Sequence, residues 1–286
     1  MTCSRHHSQY VYHASAFALA AEFERPRPYS LAPLASVVLG GHGGHGTSNH
    51  SGLTVDGLVS FENAYSEVGG SYDDCHNIHT THAWSVLEGV NVAGMLTADR
   101  VVSRLAMYYP ADDSGEASFD ITGSYFENLR IAGHQIDVKL DTKLFHDNDT
   151  YSKLIKGRQG GKKDQWLMGS CLCDKSPTER QRIEDEYHAL RGMSKMFAKW
   201  KKPGTRPADM GRYRLSAVNH LDLANLDKTE LEGYGGIICI PKFGVIRLAE
   251  VIVTRHTRTL TMFQVQMCSS GYGTGTGGTT SGSGGG

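Results

Sequence analysis

The sequence predicts a mainly β protein, an antiparallel β-sandwich or barrel-like core that carries a helical, basic insertion. Three observations predict it. Apolar and polar residues alternate through much of the first 147 residues and again after Gly235-Gly236, a period that puts one face of a strand in a core and the other in water. Gly and Pro clusters punctuate those runs as turns would. Between them the pattern changes to helical spacing with an excess of Lys and Arg. The organisation expected is a discontinuous β core (residues 8–147 plus 235–268), a helical basic insertion (148–234) and a disordered Gly/Ser/Thr tail (269–286).

Tyr10 to Glu24 is Ala-rich, yet it alternates Tyr10, Tyr12, Ala14 and Ala16 with Val11, His13, Ser15 and Phe17. It reads as a strand leaving through Arg25-Pro26-Arg27-Pro28, where proline favours an extended exit. Ser36 to Leu39 is a short apolar run. The Gly40–Gly46 stretch after it, GGHGGHG, reads as a flexible loop. Leu53 to Val68 and His82 to Val92 alternate again. Ala93 to Ala106 fits helix and strand locally, and its β-rich surroundings favour strand.

Ser124 to Asp141, SYFENLRIAGHQIDVKLD, reads as two short strands around a turn. Leu129 and Ile131 precede Ala132-Gly133-His134-Gln135; Ile136, Val138 and Leu140 follow it, with Asp137, Lys139 and Asp141 in the other phase. Gly133 supplies the positive φ of a tight hairpin. The charges there need no catalytic role; they form the wet face of a half-buried sheet.

In the insertion, Ser176-Pro177-Thr178-Glu179 is a helix start with a capping box. Ile183, Tyr187, Leu190, Met193, Phe197 and Trp200 then recur every three or four residues, one face of an amphipathic helix that ends at Pro203-Gly204. After it, Ile237–Ile240, Val245–Thr254 and Leu260–Met267 read as strands, the last two as a hairpin around residues 255–259. The tail SSGYGTGTGGTTSGSGGG is a low-complexity segment that cannot offset its ordering entropy alone.

Four segments together carry a family resemblance: YVYHASAFALAAEFERPRPYSLAPLASVVLGG, SVLEGVNVAGMLTADRVVSRLA, FENLRIAGHQI, and IPKFGVIRLAEV followed by LTMFQVQM. In order and spacing they resemble the choice-of-anchor P family of β-rich bacterial surface-type proteins. The resemblance implies a β core and a cell-surface location. It brings no catalytic residues and no cofactor. The sequence itself shows no secretory leader and no apolar run long enough to span a membrane, and alone suggests the cytoplasm. The six cysteines are sparse and read as reduced thiols.

Two clusters invite chemistry. Cys75, His76, His79 and His82 in CHNIHTTH are good zinc-ligand types, although strand geometry puts His79 on the face opposite His76 and His82. The plain alternative is ordinary loop and surface histidines. Charge asymmetry is the other. Residues 151–214 hold 16 Lys/Arg and 7 Asp/Glu, a net +9; the remainder holds 13 and 23, a net −10. Arg158, Lys162, Lys163, Lys199, Lys201 and Lys202 there could meet an anionic polymer, or simply form a solvated helix face. Cys171-Leu172-Cys173, a Gly-Arg-Gln-Gly-Gly-Lys-Lys run and Asp147-Asn148-Asp149 each lack the partners that a redox, phosphate or calcium site needs.

The function expected is a non-catalytic structural or interaction β-protein that self-assembles or binds a protein or surface polymer. Nucleic-acid or other anionic-polymer binding through the insertion is the alternative, and a metal-dependent hydrolase on the histidines the third.

Overall fold

A computed structural model describes residues 10–23, 28–55, 57–112, 115–154, 213–222, 232–234, 236–240, 243–267 and 273–285. The alternation read from the sequence becomes long strands. In chain order they are β1 (Val11–Phe23), β2 (Tyr29–Leu34), β3 (Val37–Val38), β4 (Gly44–Val55), β5 (Val59–Asp73), β6 (Ile78–Val92) and β7 (Leu96–Pro110). Short strands follow: β8 (Ser118–Asp120), β9 (Tyr125–Glu127), β10 (Arg130–Ile131), β11 (His134–Gln135) and β12 (Asp137–Leu140). Helix α1 (Thr142–Asp147), capped by the Asp141 carboxylate on the Leu144 amide, comes next. The last strands are β13 (Tyr213–Ser216), β14 (Val218–Asp222), β15 (Glu232–Tyr234), β16 (Ile237–Ile240), β17 (Gly244–Val253), β18 (Thr257–Met267) and β19 (Gly273–Gly285).

Two antiparallel sheets form the body. The first runs β15-β16-β17-β18-β19-β1-β2, with β13 on β17 and β3 on β1; the second runs β11-β10-β7-β6-β5-β4, with β8 and β9 on β7. Strands from both ends of the sequence therefore lie side by side in one sheet, as β1 pairs with β19 and β19 with β18. Neither sheet closes on itself, so the architecture is two packed open layers and not a barrel.

The tail corrects the sequence reading. Residues 273–285, expected to be disordered, form β19 in the middle of the first sheet. The lack of side chains at its glycines is what admits the strand. A methyl group on Gly277 would stand 2.1 Å from the Phe263 ring, and one on Gly282 would stand 2.8 Å from the Met107 sulfur across the layers. Neighbouring strands fill the space that β19 leaves. The Gly40–Gly46 loop is also shorter than expected, because β4 begins at Gly44. The return strand leaves the Leu129–Ile131 hairpin after Ile136, whose N–H still donates to the Leu129 carbonyl at 2.8 Å; β10 pairs with the two-residue β11, and β12 pairs with β14. The expected helix over Ser176–Trp200 and most of the basic insertion lie outside the described residues.

Small side chains line part of the interface between layers: Ala14, Ala16 and Ala18 on β1, and Ser66, Ser85 and Ser103 on β5 to β7. Two of their hydroxyls, those of Ser85 and Ser103, tie the layers together. Ser85 Oγ donates to the Phe17 carbonyl at 3.0 Å, and Ser103 Oγ meets Thr280 Oγ1 at 2.9 Å. Larger apolar groups such as Phe23, Leu87, Leu96, Phe263 and Val265 fill the core beyond.

Both sheets interrupt their regular pairing along a line, with the same register on either side of the break. In the second sheet the regular pairing skips Gly52 opposite Glu62, and Gly89 opposite both Glu62 and Asp99. Gly89 has φ +61°, and the Glu62 side chain fills the space where its Cβ would be. In the first sheet the skips fall at Ala18, Gly278, Met262 and Ala249, with φ +60° at Gly278 and +47° at Ala249. At these breaks the inward-facing parity reverses: Phe61 and then Ala64 are buried on β5, and Leu87 and then Val90 on β6. On β5 the buried alternation breaks at the exposed pair Glu62-Asn63.

Candidate functional site

Strand parity fixes which residues of the second sheet face away from the core. Ala83, Ser85 and Leu87 on β6 are buried between the layers. His82, Trp84, Val86 and Glu88 therefore share the outer face. Register then builds rungs across the strands. One is Glu67–Trp84–Arg104, the next Tyr65–Val86–Val102–Tyr125, and the third Asn63–Glu88–Arg100–Glu127. The third lies next to the break in pairing at Glu62, Gly89 and Asp99.

These rungs enclose a shallow depression of about 320 Å³. Its lining includes Ala64, Val86 and Val102, with Tyr65, Trp84 and Tyr125 standing among them and Asn63, Glu88 and Arg100 at one end. Trp84 is 39% exposed and Tyr125 41% exposed, large aromatic surfaces left in water at one place. Trp84 is not loose. The Tyr65 ring meets it edge-on, with centroids 6.2 Å apart and planes at 85°, and Tyr65 is anchored by donating its hydroxyl to Glu67 Oε2 at 2.7 Å.

The polar end is likewise held in place. Arg100 donates through Nε to Glu88 Oε1 at 3.0 Å and through Nη2 to the same oxygen. Asn63 Nδ2 donates to Glu88 Oε2 at 3.2 Å. The Arg100 guanidinium, with Asn63 adding, keeps the Glu88 carboxyl below the usual carboxylate range. The Tyr65 hydroxyl, followed by His45, does the same for Glu67. The charges inside the depression thus cancel, while unused donors and acceptors of Asn63, Glu88 and Arg100 remain at its rim. What this arrangement offers is stacking surface and oriented hydrogen bonds. No nucleophile with an adjacent base lines it.

The histidine cluster expected from CHNIHTTH is dispersed by the fold. Cys75 and His76 sit in the turn between β5 and β6, Cys75 exposed and His76 Nδ1 2.8 Å from Asp73 Oδ2. His79 points to the inner side, stacked on Tyr10 at 4.0 Å and joined through Nδ1 to the Tyr12 hydroxyl at 2.7 Å. His82 lies on the outer face over Gly69, with Nε2 3.7 Å from Glu67 Oε1. Strand parity, which separates His79 from His82, is the physical reason that they do not converge. Among the described residues no group of three or more His, Cys, Asp or Glu side chains could hold a metal ion. Arg158, Lys162, Lys163, Lys199, Lys201 and Lys202 lie outside the described residues. No helix among the described residues is long and apolar enough to cross a membrane.

The sequence reading missed Trp84, Tyr65 and Tyr125. The signal was present: in HAWSVLEGV, Trp84 shares its parity with His82 and Glu88, while Ala83, Ser85 and Leu87 take the other. A large aromatic residue in the polar phase of a strand marks a surface with a use.

The family model described as a domain of unknown function, DUF8256, matches residues 10–254. The chain belongs to that family. No curated protein and no solved structure matches it.

Proposed function

We propose that this member of the DUF8256 family is a non-catalytic binding protein that holds an extended polymer on the outer face of its second sheet. The observation that supports this most is the exposed, braced Trp84 beside Tyr125 over an aliphatic floor, with a prearranged Asn63–Glu88–Arg100 rim at one end. A site of fixed aromatic surfaces and a few convergent polar groups suits recognition. A flat, open setting suits a chain passing across it better than a reaction that must exclude water. The cell-surface location implied by the choice-of-anchor P resemblance belongs to the same proposal.

Nucleic acid is disfavoured on this face. Its rungs bring Glu67, Glu88, Asp120 and Glu127 against Arg100 and Arg104, an acidic balance that repels a polyanion. Anionic-polymer binding through the basic insertion stays a separate reading with its own signature, a steep loss of affinity with salt.

The test is a binding panel on the full chain, with soluble polysaccharides, extended peptides and heparin, run beside Trp84→Ala. Binding of any polymer that Trp84→Ala weakens supports the reading. Binding that is indifferent to Trp84→Ala, or none across the panel, overturns it.

A further inference from the structure

We infer that the polymer is a neutral glycan, with one pyranose ring seated in the Trp84–Tyr125 depression. This rests on the outer-face reading above and adds the chemistry of the ligand. A pyranose has two kinds of surface. Its axial C–H groups form an apolar face that stacks on an aromatic ring, and its equatorial hydroxyls ring the edge as paired donors and acceptors. The depression offers both in one place. Trp84 and Tyr125 present aromatic area to solvent, and Val86 and Val102 form an aliphatic floor between the tyrosines. Vicinal hydroxyls need a planar acceptor and a planar donor side by side. Glu88 and Arg100 are such a pair, held by their own hydrogen bonds, and the Asn63 amide extends them.

Charge decides between saccharide classes. Arg100, the one cation lining the depression, already has a carboxylate partner. The acidic balance of the surrounding rungs acts against a polyanion as well. A peptide would be expected to use a free strand edge for backbone pairing, whereas this site is centred on the face of the interior strands β5, β6 and β7.

The face is long enough for more than one ring. Tyr108, 36% exposed, pairs with Thr80, four residues along β6 from Trp84. Strand geometry puts it about 14 Å from Trp84 on the same side. Tyr108 is then a second stacking position along the polymer.

The experiment is affinity gel electrophoresis of the full chain through cellulosic, xylan, β-1,3-glucan and mannan gels, followed by calorimetry with the matching hexasaccharide. At least one neutral glycan should retard the protein. Trp84→Ala should weaken hexasaccharide binding by roughly tenfold or more, and Glu88→Gln should weaken it too, while both variants keep the parental unfolding midpoint. Tyr108→Ala should weaken the polymer more than a disaccharide. Raising salt from 50 to 500 mM should change the affinity by less than about twofold, since no counterions are released. Failure with every neutral glycan, alongside Trp84-dependent binding of a peptide or a polyuronate, sinks the glycan assignment and leaves the outer-face reading standing. Failure with every polymer sinks both.

Discussion

Gly277 on β19 lies directly opposite Phe263 on β18, and the Phe263 ring occupies the space where a Gly277 side chain would begin, 2.1 Å from an added methyl group. The ring is fully buried and has nowhere to withdraw to. Gly277→Ala should therefore cost about 1–3 kcal/mol through overpacking. Phe263→Leu in the same chain should recover part of that loss. Urea unfolding of the two single variants and the double variant measures the coupling, and simple additivity would refute the contact.

Ser103 and Thr280 join the two layers through one buried hydroxyl pair at 2.9 Å. Thr280→Val strands the Ser103 hydroxyl, and Ser103→Ala strands that of Thr280. Each should cost about 1–3 kcal/mol, the penalty for an unpaired buried polar group. The double variant should be more stable than the sum of the singles predicts, because it leaves neither group unsatisfied. A double-mutant cycle by chemical denaturation reads this directly.

Arg258 is 1% exposed, and its Nε and Nη2 have no hydrogen-bond partner. Its Nη1 donates to the carbonyls of Thr254 and Thr257, and the guanidinium lies 5.2 Å from the Phe119 ring centre. Burial pushes its pKa down. A buried cation so incompletely satisfied is a poor source of stability. Arg258→Met should denature at the same or a higher temperature than the parent. A clear drop in midpoint would show that the two carbonyl contacts outweigh the desolvation.

His79, packed against Tyr10 and Tyr12, has its pKa lowered by burial from the ordinary 6.5. The sign follows from which state takes a proton first. Above pH 6.5 the ring is neutral in both states and its packing contributes in full. As pH falls through 6.5, the unfolded chain protonates while the folded ring resists, so stability is lost down to the folded pKa. Denaturation midpoints should fall between pH 7 and pH 5, and the fall should be smaller in His79→Phe. An unchanged slope in that variant would assign the effect to other groups.

Much of the layer architecture was legible because it rests on period-two patterning, which sheet burial enforces. Ile131 and Ile136 are buried while Arg130 and Asp137 are exposed, as the alternation around Gly133 requires. Parity also separated His79 from His82. The tail was not legible, because composition counts what a segment can bury and says nothing of what its neighbours can bury onto it. Phe263, Met262 and Met107 supply the volume that makes a Gly/Thr run a central strand. The binding face was half legible: the phase of Trp84 could be read, but Asn63, Glu88 and Arg100 become neighbours only through the register of β5, β6 and β7. The breaks that reverse strand parity carry positive φ at Gly89 and Gly278, which no periodicity announces.

The pairing of Val11 with Gly285 and Phe23 with Gly273 has a consequence in time. During synthesis β1 emerges more than two hundred residues before the strand that completes its second edge. Until then a long hydrogen-bonding ribbon is left open to whatever strand meets it, a hazard that grows with the length of the wait. A nascent chain of this kind calls for a chaperone on β1, and ribosome stalling before residue 273 should yield aggregates rather than a folded fragment.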